Sequence, residues 1–168
     1  MNILGEPRRR QRYARLPLLL CCLFLADFHG SVGAAETKKE YTADTGDFLP
    51  FEFLDACTTG DVDAIRAMLK EHPGWVNSRS KQGESCLHVA GIMGQTGVTA
   101  AILQAGGDPD IRTTFSEGLR MHPLSWNVYG GHLETAAVLL EGGADVNLDV
   151  DDMYNPGQSV TVLDLIEY

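Results

Sequence analysis

The stretch that decides the fold is GGHLETAAVLLEGGADVN, residues 130–147. Five apolar residues, 136–140, follow one another in its middle without a polar interruption. A helix made of such a run is apolar around most of its circumference and has no single apolar stripe. It therefore needs cover on two sides, and stacked neighbouring units of the same kind would provide that cover.

The same pattern recurs along the chain with a period of roughly 33 residues. Setting the turn glycines Gly60, Gly94 and Gly131 in register aligns FEFLDACTTG with SCLHVAGIMG and HPLSWNVYGG. Apolar residues at helical spacing follow each of these glycines, and a fourth start, TVLDLIEY, begins at Thr161. The period predicts units at 51–77, 78–110 and 111–147 and an incomplete unit at 148–168.

These units resemble the ankyrin repeat, whose pattern T-P-L-H-x-A-A, G-H-x-E, L-L and G-A-D-V-N the third unit matches almost throughout its second half. The resemblance covers residues 51–168 and implies an all-α solenoid of stacked helix-turn-helix units with outward loops. It implies that His88, in SCLHVA, joins the outer loop to the start of a helix through backbone hydrogen bonds. It also implies a protein that binds other proteins and is not an enzyme.

The segment before the repeats has the order of a secretory signal peptide. Residues 1–15 are basic, residues 16–26 are apolar, and small residues follow them. This apolar run is shorter than the roughly 20 residues that a membrane-spanning helix needs. We therefore expect a protein that is secreted or lies in the lumen of the secretory pathway, without a membrane span after cleavage. The expected segments are a signal peptide at 1–35, a flexible linker at 36–50 and the repeat domain at 51–168.

The charge of the chain narrows the class of partner. The formal net charge is −10 at pH 7, from 23 acidic and 13 basic residues. An acidic chain is a poor ligand for a nucleic-acid backbone or an anionic membrane surface, but acidity alone names no partner. Because the chain has no phosphate-binding glycine loop, nucleophile elbow or His-Glu-x-x-His motif, we expect no cofactor, no metal and no catalysis.

The resemblance places a concave binding face at the ends of the first helices and at the tips of the outward loops. Apolar side chains at these open positions indicate a protein partner, because such groups dominate interface energetics. The alternative is that they pack against the long loop 111–121, which we otherwise expect to belong to the same face. The candidate partner-binding residues are Lys81, Gln82, Glu84, Ile92, Met93, Phe115 and Tyr129.

Two cysteines, Cys57 and Cys86, occupy first-helix positions in adjacent units. We expect two small buried side chains without a bridge, since a solenoid needs no covalent link. The five-residue offset between their positions in the register also opposes a disulfide, which requires close and correctly directed Cβ atoms. An oxidising compartment leaves a bridge conceivable.

The acidic run 145–152 resembles the start of a calcium-binding loop. Val150 and Pro156, however, stand where an EF-hand requires glycine and glutamate. We therefore predict a solvated loop. One alternative is a weak Ca²⁺ site in a calcium-responsive extracellular structural element, with ligands Asp149, Asp151 and Asp152. Another is that the chain is the N-terminal targeting part of a longer protein.

Overall fold

The structure of the chain is a computed structural model that describes residues 48–114, 120–151 and 159–166. The predicted signal peptide at 1–35 lies outside these residues, as does most of the predicted linker. The described part contains seven α-helices: α1 Phe51–Thr59, α2 Val62–Glu71, α3 Cys86–Met93, α4 Thr96–Gln104, α5 Pro123–Gly130, α6 Leu133–Glu141 and α7 Val162–Ile166. A 3-10 helix, Pro73–Asn77, follows α2, and strand β1 Val150–Asp151 pairs antiparallel with β2 Ser159–Val160.

Each unit is a pair of helices joined at a turn glycine. Gly60, Gly94 and Gly131 have φ values of 83°, 69° and 74°, a left-handed conformation that glycine adopts without strain. At Gly94 there is a second constraint, because a Cβ atom would lie 2.5 Å from Nδ1 of His132 in the next unit. The glycines that set the register in the sequence therefore also end the first helices in the structure.

The helices form two layers. The first helices α1, α3, α5 and α7 pack side by side in one layer, and the second helices α2, α4 and α6 pack in the other. The apolar core lies between the layers, where each first helix meets the second helix of its own unit. Its largest fully buried apolar side chains are Phe53, Ile65, Leu87, Val98, Ile102, Leu124, Leu139 and Val162.

Side chains of the outward loops join each unit to the next. Asn77 Oδ1 accepts the backbone N–H of Asp108 at 2.8 Å, and Asp110 Oδ1 accepts that of Asp145 at 2.9 Å. Between the first and second units, the Arg79 guanidinium also donates to a backbone carbonyl at 2.8 Å and 3.1 Å. These bonds satisfy backbone groups that the helices leave unpaired.

The expected burial of the two cysteines is confirmed, but the expectation that they form no bridge was wrong. Cys57 and Cys86 form a disulfide with a Cα–Cα distance of 5.6 Å, and both side chains are fully buried. Gly91 and Pro123 occupy the same two positions one unit later, and a Cβ atom on Gly91 would lie 3.2 Å from the Pro123 carbonyl oxygen. The end of one first helix therefore contacts the beginning of the first helix in the next unit. Because of this displacement, the five-residue offset between Cys57 and Cys86 brings their sulfur atoms together.

Candidate functional site

The predicted binding face begins with one position that recurs on three adjacent helices. Thr58, Ile92 and Tyr129 each stand two residues before the turn glycine of their unit. Because α1, α3 and α5 pack against one another in this order, the three positions form a row across the stack. The following position adds Thr59 and Met93 to the same edge.

The exposed surface of this row is largely apolar. The Met93 side chain is 38% exposed, and Ile92 and Tyr129 are half-buried. In the first unit, the hydroxyl groups of Thr58 and Thr59 donate to backbone carbonyls of their own helix at 2.8 Å and 2.9 Å. Since those hydroxyls are already bonded, the row offers a partner mainly aliphatic and aromatic surface.

The loop tip that carries three candidate residues is a tight turn. Lys81 and Gln82 are exposed and Glu84 is half-buried. The Ser80 hydroxyl accepts the backbone N–H groups of Gln82 and Glu84 at 3.1 Å and 3.2 Å. The Ser80 N–H in turn donates to the Glu84 carbonyl at 2.6 Å. This network fixes the direction in which the tip side chains leave the loop.

The environment of Glu84 changes the protonation of its carboxyl group. Burial raises the pKa of the Glu84 carboxyl from 4.5 to about 7. Desolvation disfavours the charged form, and this is the cause of the shift. At neutral pH the carboxyl group is therefore present in both forms, and its protonated form can donate a hydrogen bond to a partner.

The structure describes the loop 111–121 at its two ends, 111–114 and 120–121. Its two ends are buried, with Ile111 5% exposed and Met121 3% exposed. Thr113 bonds Met121 twice, through its backbone N–H at 2.9 Å and its hydroxyl oxygen at 3.0 Å. Phe115 lies outside the described residues. The base of the loop is therefore part of the packed structure and braces the outward turn.

The role that the resemblance implies for His88 is confirmed. The imidazole is fully buried; its Nδ1 accepts the Ser85 backbone N–H at 3.1 Å, and its Nε2 bonds the Met121 carbonyl at 3.1 Å. Burial lowers the pKa of His88 to about 3, so the ring is neutral. The Nε2 atom must then carry the proton, because it faces a carbonyl oxygen.

The third unit contains a variation that we did not recognise from the sequence. Here the histidine and serine of SCLH exchange places, giving HPLS. His122 Nδ1 accepts the Ser125 N–H at 3.4 Å, and the Ser125 hydroxyl donates to the His122 carbonyl at 2.7 Å. Both side chains are fully buried, so this pair caps α5 with the same two residue types in reverse order.

The acidic run has a structural role where the structure describes it. Asp145 Oδ1 accepts the backbone N–H of Asn147 at 2.9 Å, which makes a local turn. Asp149 is exposed, Asp151 belongs to β1, and Asp152 lies outside the described residues. Across 48–114, 120–151 and 159–166, no three His, Cys, Asp or Glu side chains are grouped so that they could hold a metal ion. Over the same ranges, no helix is long and apolar enough to cross a membrane.

A comparison with known families matches the third unit. The ankyrin repeat family matches residues 120–151, the segment that contains α5, α6 and the start of the following turn and strand. The preceding units repeat the same helix pair, turn glycine and outward loop in the same two layers. The expected fold class is confirmed, because one ankyrin repeat is matched and the described part of the chain is an all-α solenoid of such helix pairs.

Proposed function

We propose that this ankyrin-repeat protein is a non-catalytic module that binds another protein, and that it acts in the secretory pathway or after secretion. The row of Ile92, Met93 and Tyr129 carries the binding proposal. These side chains keep part of their surface in water. A partner that covers them gains hydrophobic free energy, at roughly 25 cal/mol for each Å² of apolar surface buried.

We assign the loop tip at residues 81–84 to the same face. Lys81 and Gln82 are exposed beside the half-buried carboxyl of Glu84. An apolar centre with a polar rim is the usual composition of a protein interface. We infer that Ile92, Met93 and Tyr129 form the apolar centre, and that the loop tip contributes polar contacts at the rim.

The disulfide supports the proposed compartment. Cys57 and Cys86 are paired and fully buried between the first two units. Disulfides form and persist in secreted proteins and in the secretory lumen, whereas cytosolic thiols are kept reduced. Together with the signal-like order of residues 1–35, the bridge favours a repeat domain that folds outside the cytosol.

Site-specific crosslinking tests the binding face. A photoreactive phenylalanine analogue at position 93 should give one discrete crosslinked product in cells that express the protein. The same analogue at Arg66, which is exposed on α2 in the other layer, is the matched control and should give none. A Met93→Glu variant that folds normally should compete poorly for the same product. Equal crosslinking from positions 93 and 66 would contradict the proposed face.

A further inference from the structure

Basic residues lie in the first two outward loops, although the chain as a whole has a net charge of −10. Arg79 and Lys81 belong to the first loop, between α2 and α3, and Arg112 belongs to the second, between α4 and α5. The two arginines occupy the same position, two residues after Asn77 and Asp110. Both of these residues accept a backbone N–H of the following loop. The same basic position therefore recurs on two adjacent loops.

Hydrogen bonds join the two loops that carry these cations. The Arg79 guanidinium donates from Nε and Nη2 to the Arg112 carbonyl oxygen at 3.1 Å and 2.8 Å. The Arg112 guanidinium donates from Nη1 to another backbone carbonyl at 3.2 Å. Beside Lys81, the Gly83 carbonyl accepts the N–H of Thr114 at 3.1 Å. The three cations therefore lie on two loops that contact each other directly.

The positive charge of these residues is not neutralised by a direct partner. Both guanidinium groups donate to carbonyl oxygens, and no carboxylate of the described residues pairs with Arg79, Lys81 or Arg112. Each guanidinium carries more N–H donors than these bonds use. In the first loop, burial raises the pKa of Glu84 to about 7, so its carboxyl group carries only part of a negative charge at neutral pH. We call Arg79, Lys81 and Arg112 the basic strip.

Acidic residues bound the strip on the side of the third outward loop. Asp149 occupies the position of Arg79 and Arg112 in that loop and is exposed. The Asp110 carboxylate is bonded to the same loop, because it accepts the N–H of Asp145. A nucleic acid or a sulfated glycan carries charge along its whole length and would be repelled by these carboxylates. The strip therefore suits a ligand with a few separate negative charges.

We propose that the basic strip binds an extended acidic segment of the partner protein, in which two carboxylates pair with Arg79 and Arg112. Arginine holds a carboxylate through two parallel N–H···O bonds. Packed helices lie about 8 to 10 Å apart, and residues three positions apart in an extended chain are separated by about 10 Å. Two Asp or Glu residues at that spacing match arginines on adjacent loops. Lys81 adds attraction from the exposed loop tip.

This binding mode rests on the proposed function, because it describes the chemistry of the protein partner. The acidic remainder of the chain repels an acidic segment from other surfaces, so the strip also fixes the orientation of the partner. The contacts are made by the outward loops, whereas the crosslink at position 93 reports on the end of a first helix. The two can therefore be tested separately.

A short glycine–serine peptide with two glutamates three positions apart is a suitable probe. Its binding is followed by NMR, through the side-chain Nε–Hε signals of arginine in the full oxidised chain with isotope labelling. The signals of Arg79 and Arg112 should shift saturably with peptide concentration. The signal of Arg66, which is exposed on α2, should not. A matched peptide with glutamines should cause no shift, because it lacks the carboxylates.

Four variants of the chain separate a local site from an effect of overall charge. Lys81→Gln and Arg112→Gln each remove one positive charge from the strip and should weaken peptide binding at least roughly threefold. Lys70→Gln and Arg66→Gln remove the same charge from α2 and should leave the affinity unchanged. Because Lys81, Lys70 and Arg66 are exposed, the variants at these positions should keep the wild-type melting temperature.

Three results would overturn this binding mode. The peptide could cause no saturable shift, or Lys70→Gln could weaken binding as much as Lys81→Gln does, which would show a diffuse effect of net charge. In the third, a sulfated oligosaccharide would shift the same arginine signals at lower concentration than the peptide, and the strip would be a polyanion site. None of these results affects the crosslink at position 93. Loss of that crosslink would contradict the proposed function and leave peptide binding unchanged.

Discussion

At the scale of single residues, the environment of each polar side chain decides its chemistry. The sequence places Glu84 among exposed loop residues, but the folded loop buries its carboxyl group and raises its pKa to about 7. Ser85 and His88 form a neutral buried pair, and His122 and Ser125 form its reversed counterpart. The hydrogen bonds within these two pairs stabilise the loop-to-helix junctions.

Glu84 should make the stability of the protein depend on pH. Its folded-state pKa of about 7 lies above the ordinary value of 4.5, so the folded state binds the proton more tightly than the unfolded state. Stability should fall as pH rises from 4.5 to 7. In Glu84→Gln this loss, about 2 to 3 kcal/mol, should be absent. Urea unfolding of the wild-type protein and Glu84→Gln at pH 5 and pH 8 measures this loss. A difference in the free energy of unfolding between the two proteins that is the same at both pH values would contradict the prediction.

Two glycines with positive φ values should differ in their tolerance of alanine. Gly94→Ala should cost about 2 to 3 kcal/mol, because it combines an unfavourable φ of 69° with a contact to the His132 ring. Gly143→Ala, the matched control, has a φ of 97° but no atom within 4 Å of the added carbon. It should cost only about 1 kcal/mol. Equal losses in thermal unfolding would show that the His132 contact is unimportant.

At the scale of helices and loops, the sequence predicts much of the fold but not the contacts between units. The turn glycines and the apolar spacing around Ile65 and Leu139 predict the helix pairs, because both follow local rules of the chain. The displacement of neighbouring first helices along their axes is not a local property. It depends on how whole helices pack, and it decides that Cys57 meets Cys86.

The candidate binding site shows the same limit. The sequence predicts which residues end the first helices, so Ile92 and Tyr129 could be placed on one edge from their positions alone. The burial of Ile111 and Met121 could not be predicted, because it depends on how a loop of non-repeating sequence packs. The exposure of Leu133 and Leu140 likewise depends on the absence of a neighbour among the described helices, which no local pattern encodes.

The disulfide should stabilise the first unit in particular. It closes a loop between residues 29 positions apart. By lowering the chain entropy of the unfolded state, a loop of this length stabilises the folded state by about 3 to 4 kcal/mol. Cys57→Ser should lower the free energy of unfolding by about that amount. Hydrogen exchange should accelerate most in α1 and α2, because the remaining units keep their own interfaces. Cys86→Ser is the control and should have the same effects as Cys57→Ser, because it removes the same disulfide. Hydrogen exchange that accelerates equally in all helices would contradict a local role of the disulfide.

At the scale of the whole molecule, an acidic stack with a covalently joined first pair of units suits a compartment where thiols are oxidised. The net charge of −10 keeps such a protein soluble and away from anionic surfaces.

One measurement tests the central claim of an exported, oxidised binding module most directly. It is the intact mass and N-terminal sequence of the chain from the culture medium of cells that express it, alkylated with and without prior reduction. We predict a chain that begins near residue 35 and takes up two alkyl groups, at Cys57 and Cys86, only after reduction. An uncleaved chain that remains inside the cells, with both cysteines alkylated without reduction, would contradict the account.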